Sequence, residues 1–136
     1  MRFPIVIHKD TDSDYGVTVP DLPGCFSAGE TIDEALSQAV EAIELHLDGM
    51  LQDNEPLPTP RPMDDHQNNP AYAGGVWAIV TVDLSKISGR ARRVNVTLPE
   101  RLLTIMDQYA TKRGETRSAL IAQATMEFMA AHNESV

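Results

Sequence analysis

Residues 92–99, Arg-Arg-Val-Asn-Val-Thr-Leu-Pro, alternate polar and apolar side chains until the proline. Arg93, Asn95 and Thr97 fall on one side of such a segment, and Val94, Val96 and Leu98 on the other. A period of two predicts a strand with one apolar face and one face free to touch something else. Pro99 stops the strand, because it has no N–H for a ladder, and it suits the first turn of a helix. Leu102, Leu103, Ile105, Met106 and Tyr109 then recur at helical spacing. Gly114 is placed to end that helix in the left-handed conformation. Thr116 can cap a second helix whose inner face is Leu120, Ile121, Ala124 and Phe128. Strand, helix, helix in about 40 residues is too little chain to bury a core alone. A single strand also has two unpaired edges. Two copies that pair their strands antiparallel and interlock their helices would resolve both problems.

This segment resembles the ribbon-helix-helix DNA-binding domains. The features that carry the resemblance are the R-x-N-x-T strand, the L-P-E run before the first helix and G-E-T-R-S-A-L-I at the start of the second. The resemblance implies a dimeric two-stranded ribbon in a major groove, where outward side chains reach base edges. Arg93 would donate twice to a guanine, Asn95 would bridge an adenine, and Thr97 would hydrogen-bond a base or touch a thymine methyl. Arg92, together with Thr116, Arg117 and Ser118 at the start of the second helix, would meet phosphates.

The net charge of −9 is unusual for a chain that binds DNA, and its distribution resolves the conflict. Residues 1–85 hold Arg2, Lys9 and Arg61 against 15 acids, a net of −12. Residues 86–136 hold eight basic residues against five acids, a net of +3. A basic segment suits phosphates, and an acidic one is repelled by them and suits a basic partner.

The front half reads as a small sheet with one long helix. Strands are predicted at Phe3–Lys9 and Tyr15–Pro20, with a short third at Phe26–Ala28. Asp10, Asp12 and Asp14 lie in the turn between the first two; they lack the glycine and the final glutamate of a calcium loop. Asp21-Leu22-Pro23-Gly24-Cys25 is a turn. Thr31 and Glu34 form a capping box for a helix reaching about Leu51. Its inner face is predicted as Ile32, Leu36, Ala39, Ile43, Leu47 and Met50, and its outer face carries Asp33, Glu34, Glu41, Glu44 and Asp48. The proline-rich run 54–62 is an extended connector, and 63–75 reads as a polar loop. Val76–Asp83, nearly continuous in apolar residues, is expected at the centre of the sheet.

Residues 16–43, G-V-T-V-P-D-L-P-G-C-F-S-A-G-E-T-I-D-E-A-L-S-Q-A-V-E-A-I, resemble the N-terminal domain of HicB antitoxins. The resemblance implies an α+β protein in three parts. Residues 1–85 would form a toxin-binding domain, a partial ribonuclease-H-like sheet without a catalytic set. Residues 86–91 would be a linker and 92–136 the ribbon-helix-helix dimerising domain. The implied partners are a HicA-type toxin, a small basic ribonuclease using a histidine, and operator DNA, bound as a homodimer or in a higher-order complex with toxin. The turn residues Asp21, Leu22, Pro23, Gly24 and Cys25 are candidate toxin contacts from charge and exposure alone, as is the acidic helix face.

The residues themselves point away from catalysis. His8, His46, His66 and His132 are scattered and lack zinc spacing, Cys25 is alone, and there is no phosphate-binding glycine motif. No catalytic residue, metal or cofactor is therefore expected. A start at Met1-Arg2-Phe3-Pro4 lacks the apolar core of a signal peptide, and no run is long enough to cross a membrane, so a cytoplasmic location is expected. Two other functions stay open. One is a stand-alone repressor whose front domain senses a small ligand. The other is a metal nuclease in which Asp10, Asp14 and Asp83 converge.

Overall fold

The computed structural model describes residues 1–89 and 91–132. The chain divides into two compact units, one spanning Arg2–Val82 and the other running onward from Asp83.

The first unit is built on four antiparallel strands: β1 (Arg2–His8), β2 (Tyr15–Thr18), β3 (Phe26–Gly29) and β4 (Val76–Thr81). Their order is β3-β2-β1-β4, with Val6 opposite both Thr18 and Trp77. Alternation along β1 puts Phe3, Ile5 and Ile7 on one face with Val17 and Val80, and all five are buried. The helix α1 (Ile32–Gln52) covers that face with Ala35, Ala39, Ile43 and Leu47. These four lie at strict four-residue spacing, a narrower stripe than the one expected. Ile32 stays half exposed, and Ala35 takes the place beside β3. The approach there is close: a Cβ on Gly29 would come within 2.4 Å of the Ala35 backbone nitrogen. Thr31 caps α1 as predicted, its hydroxyl accepting the Glu34 N–H at 3.1 Å.

The connector covers part of the opposite face of the sheet, over β4. Residues 63–75 were expected to be loop; they contain α2 (Met63–Gln67) and a 3-10 turn, Pro70–Tyr72. Elements of five and three residues are too short to show a period in sequence. They place His66 and Tyr72 against Trp77 of β4.

The position expected for β4 is corrected by the structure. Among the described residues it pairs only with β1 and forms an edge of the sheet. Its unbroken apolar run suggests burial on both faces, yet Val76 and Ile79 are 64% and 46% exposed.

The second unit contains α3 (Glu100–Lys112) and α4 (Arg117–Ala131), preceded by a 3-10 turn at Leu84–Gly89 that packs on α4. Gly114 between the helices adopts a φ of +67°, the left-handed cap predicted for it. The following N–H, of Glu115, reaches back to the Ala110 carbonyl at 2.9 Å. Of the residues of α3 and α4, only Ala110 and Ala119 are buried. Several large side chains of both helices remain in solvent, Ile105 62% and Phe128 63% exposed, while Leu103, Met106 and Leu120 are half-buried. Residues 92–99, expected as a strand, make no sheet pairing among the described residues.

Candidate functional site

In the second unit, Arg92, Arg93, Asn95 and Thr97 are all exposed. So are Val94 and Val96, at 72% and 71%, on what would be the inner side of the segment. Ordinary folded chains do not leave such residues in water together with Leu102, Ile105, Tyr109 and Phe128. Residues 94–128 therefore present an apolar surface large enough to need a cover.

The start of α4 is well defined. Thr116 is its N-cap, and its hydroxyl accepts the Ala119 N–H at 3.0 Å. The N–H groups of Arg117 and Ser118, in the first turn, have no intrahelical acceptor and carry the positive end of the helix dipole. Thr116, Arg117 and Ser118 are all exposed. The Arg117 side chain is not loose. Its Nε donates to Asp107 Oδ1 at 2.8 Å and its Nη2 to Asp107 Oδ2 at 2.6 Å. This hydrogen-bonded fork, and the guanidinium charge behind it, hold the Asp107 carboxyl below its ordinary range and raise Arg117. Arg113 is held too, its Nη1 donating to the Tyr109 hydroxyl at 3.0 Å with the guanidinium over the Tyr109 ring. Sequence spacing gives no sign of the Arg117–Asp107 pair, because ten residues and a turn separate the two.

In the first unit, the sheet face opposite α1 carries an open groove of ≈ 450 Å³. His8, Pro20, Pro23, Phe26 and Tyr72 line it, and Phe26 is 65% exposed. The candidate turn 21–25 forms part of its wall, but its side chains are not equally available. Leu22 and Cys25 are buried, and Pro23 and Gly24 are exposed. The Asp21 side chain is buried as well. Its Oδ1 faces His66 Nε2 at 3.0 Å and accepts the Arg61 N–H at 3.2 Å. His66 in turn stacks on Trp77, with planes 10° apart and centroids 6.5 Å apart. Asp21 therefore ties the connector to the hairpin turn. Sequence reading missed this clamp, since nothing in Asp-Leu-Pro-Gly or Met-Asp-Asp-His marks a contact across 45 positions.

Burial pushes the Cys25 thiol up, opposite to what a nucleophile needs. Among the described residues no group of three His, Cys, Asp or Glu side chains is placed to hold a metal. Among the described residues no helix is long and apolar enough to cross a membrane. Asp10, Asp12, Asp14 and the acidic face of α1 (Asp33, Glu34, Glu41, Glu44) are at the surface, as expected of a solvated acidic unit.

Comparison with known proteins covers both units. Residues 3–125 match the family described as HicB-like antitoxin of bacterial toxin-antitoxin systems. An uncharacterized 14.9 kDa protein from the rep-hol intergenic region of Haemophilus phage HP1 is 43% identical over 125 residues, 90% of this chain and 93% of that one. The crystal structure of the Burkholderia pseudomallei antitoxin HicB aligns with a TM-score of 0.76 at 44% identity, covering 95% of this chain and 98% of that one. A chain of the HicA3 and HicB3 toxin-antitoxin complex aligns with a TM-score of 0.53 at 30% identity, over 61% of this chain and 99% of that one. With the mixed α+β fold shared along nearly its whole length, this chain belongs to the HicB-like antitoxin family of bacterial toxin-antitoxin systems.

Proposed function

We propose that this protein neutralises a HicA-type, mRNA-cleaving toxin by direct binding and represses its own operon as a dimer on promoter DNA. The observation that carries both halves is the contrast between the units. One is acidic and closes its own core. The other leaves Val94, Val96, Ile105 and Phe128 in water, with Arg93, Asn95 and Thr97 also exposed.

Toxin capture rests on the first unit. The similarity to a chain of the HicA3 and HicB3 complex lies over about this much of the protein. We read the sheet and α1 as the partial ribonuclease-H-like domain of the family. An acidic surface attracts a basic partner and repels the RNA that such a partner cleaves. Within the turn 21–25, Pro23 and Gly24 are the contacts left available, with Phe26 beside them in the groove.

DNA binding rests on the second unit. A lone copy of residues 91–99 has no strand to pair with, and the ribbon-helix-helix reading supplies one from a second chain. Pairing Val94 and Val96 with their counterparts would cover them and leave Arg93, Asn95 and Thr97 outward for base edges. Arg92 and the start of α4 would hold the backbone.

Co-purification of the tagged full chain with the products of its neighbouring genes tests the first half. A small basic protein should be recovered, and its RNase activity should fall when this chain is added. A lone protein that binds promoter DNA would instead favour a ligand-sensing regulator. The groove of ≈ 450 Å³ supports that second reading, since it is within the size range of small-molecule sites.

A further inference from the structure

We propose that Asp107 is a positioning residue for DNA binding: it holds Arg117 with one edge of the guanidinium so that the other edge is presented to a phosphate. This inference rests on the reading of the second unit as DNA-binding.

A guanidinium has five N–H groups in a planar fork. Asp107 takes the Nε and Nη2 edge, with both of its own oxygens in use. Both Nη1 hydrogens and one on Nη2 remain, and they form a second edge able to grip a phosphate. Arg117 is 52% exposed despite its partner, so that edge reaches solvent. Its position matters as much as its charge. It is the first residue of α4, beside the uncapped N–H groups of that helix. Asp107 comes from the middle of α3, so the pair also spans the two helices. Arg113, on the other side of the turn, is pinned to Tyr109 in a comparable way. Both arginines of the α3–α4 turn thus have their conformations set before any ligand arrives. A free arginine would lose its rotamer freedom on binding, and here that loss is taken in folding.

An opposite role is also chemically open. Asp107 could compete with phosphate for Arg117 and weaken binding. The exposed second edge argues against it, because a phosphate need not displace the carboxylate.

The test is a double-mutant cycle on the full chain. Asp107→Asn, Arg117→Ala and the double variant are titrated with a fluorescent duplex from upstream of the protein's own gene and with a mixed-sequence duplex, across a salt series. Asp107→Asn should weaken both complexes roughly three- to tenfold, the cost of immobilising one flexible side chain on binding. In the Arg117→Ala background it should cost nothing. Arg117→Ala should lower the slope of log affinity against log salt by about one. Tighter or unchanged binding by Asp107→Asn overturns the inference, as does an equal loss in both backgrounds, which marks a purely structural role. Arg117→Lys keeps the charge without the fork, so it should bind as weakly as Asp107→Asn and be insensitive to that change. It serves if Asp107→Asn does not fold. No binding by the parent chain, or a parental salt slope in Arg117→Ala, removes the DNA-facing reading of α4 and this inference with it.

Discussion

Single residues carry unequal weight in this chain, and burial decides which. Asp21 keeps a carboxylate 4% exposed, with His66 on one oxygen and no partner on Oδ2 among the described residues. Replacing His66 by alanine leaves that carboxylate with the Arg61 N–H alone and opens a gap beside Trp77. The expected loss is about 3 kcal/mol of unfolding free energy, read by urea denaturation. A loss below a few tenths would show that water substitutes freely for the imidazole. Arg93 is the opposite case, an exposed side chain. Arg93→Ala should leave stability unchanged and cost about 1–3 kcal/mol of DNA affinity, concentrated at one base position. A loss spread evenly over all sequences would make Arg93 a phosphate contact. Asp107 sets a pH limit. Its pKa is lowered in the folded chain by Arg117, so its stabilising contribution is complete above the ordinary aspartate range. That contribution is lost as the pH falls through the lowered value. Melting of the full chain should therefore find the parent more stable than Asp107→Asn at neutral pH, with the gap closing as the pH falls through the lowered value.

At the level of elements, two contacts set the geometry of the units. The end of β3 and the start of α1 approach so closely that Gly29 cannot carry a side chain without moving the backbone of Ala35. Gly29→Ala should destabilise the first unit by about 2–3 kcal/mol, as overpacking against backbone does, and should distort the rest of β3. Amide exchange across Phe26–Gly29 would show it, and unchanged protection would mean that α1 shifts without cost. The turn between α3 and α4 depends on the Gly114 conformation and on the Thr116 cap. Both were legible in advance, because they are consequences of backbone chemistry acting over three or four residues. The location of β4 was not. An apolar run says that a strand is covered, not which neighbours cover it, and here Trp77 is covered by His66 and Tyr72 from a connector that reads as loop.

For the whole molecule, the two units solve the burial problem differently. The first has a closed core of Phe3, Ile5, Ile43 and Leu47 with no exposure at all. The second buries Leu84, Ile87, Ala110 and Ala119 but leaves Val94, Val96, Ile105 and Phe128 exposed, so it removes too little apolar surface from water to offset chain entropy. Its stability should thus depend on a second copy. Sedimentation equilibrium should find a dimer of the full chain, and the melting temperature should rise with protein concentration. Val96→Lys should shift the equilibrium toward monomer while leaving the first unit folded. A monomer that melts independently of concentration would show that another partner covers the apolar surface.

Local chemistry was enough to locate the long helices α1, α3 and α4, the Thr31 and Thr116 caps and the first three strands, because hydrophobic period and capping act within one or two turns. It was also enough to separate the charges of the two halves. Only the tertiary structure decided that β4 lies at an edge, that Ala35 rather than Ile32 faces the sheet, that Asp21 is tied to His66, and that Arg117 is held by Asp107. Each of these is a tertiary contact rather than a local period, and its energy depends on distance and desolvation that no spacing encodes.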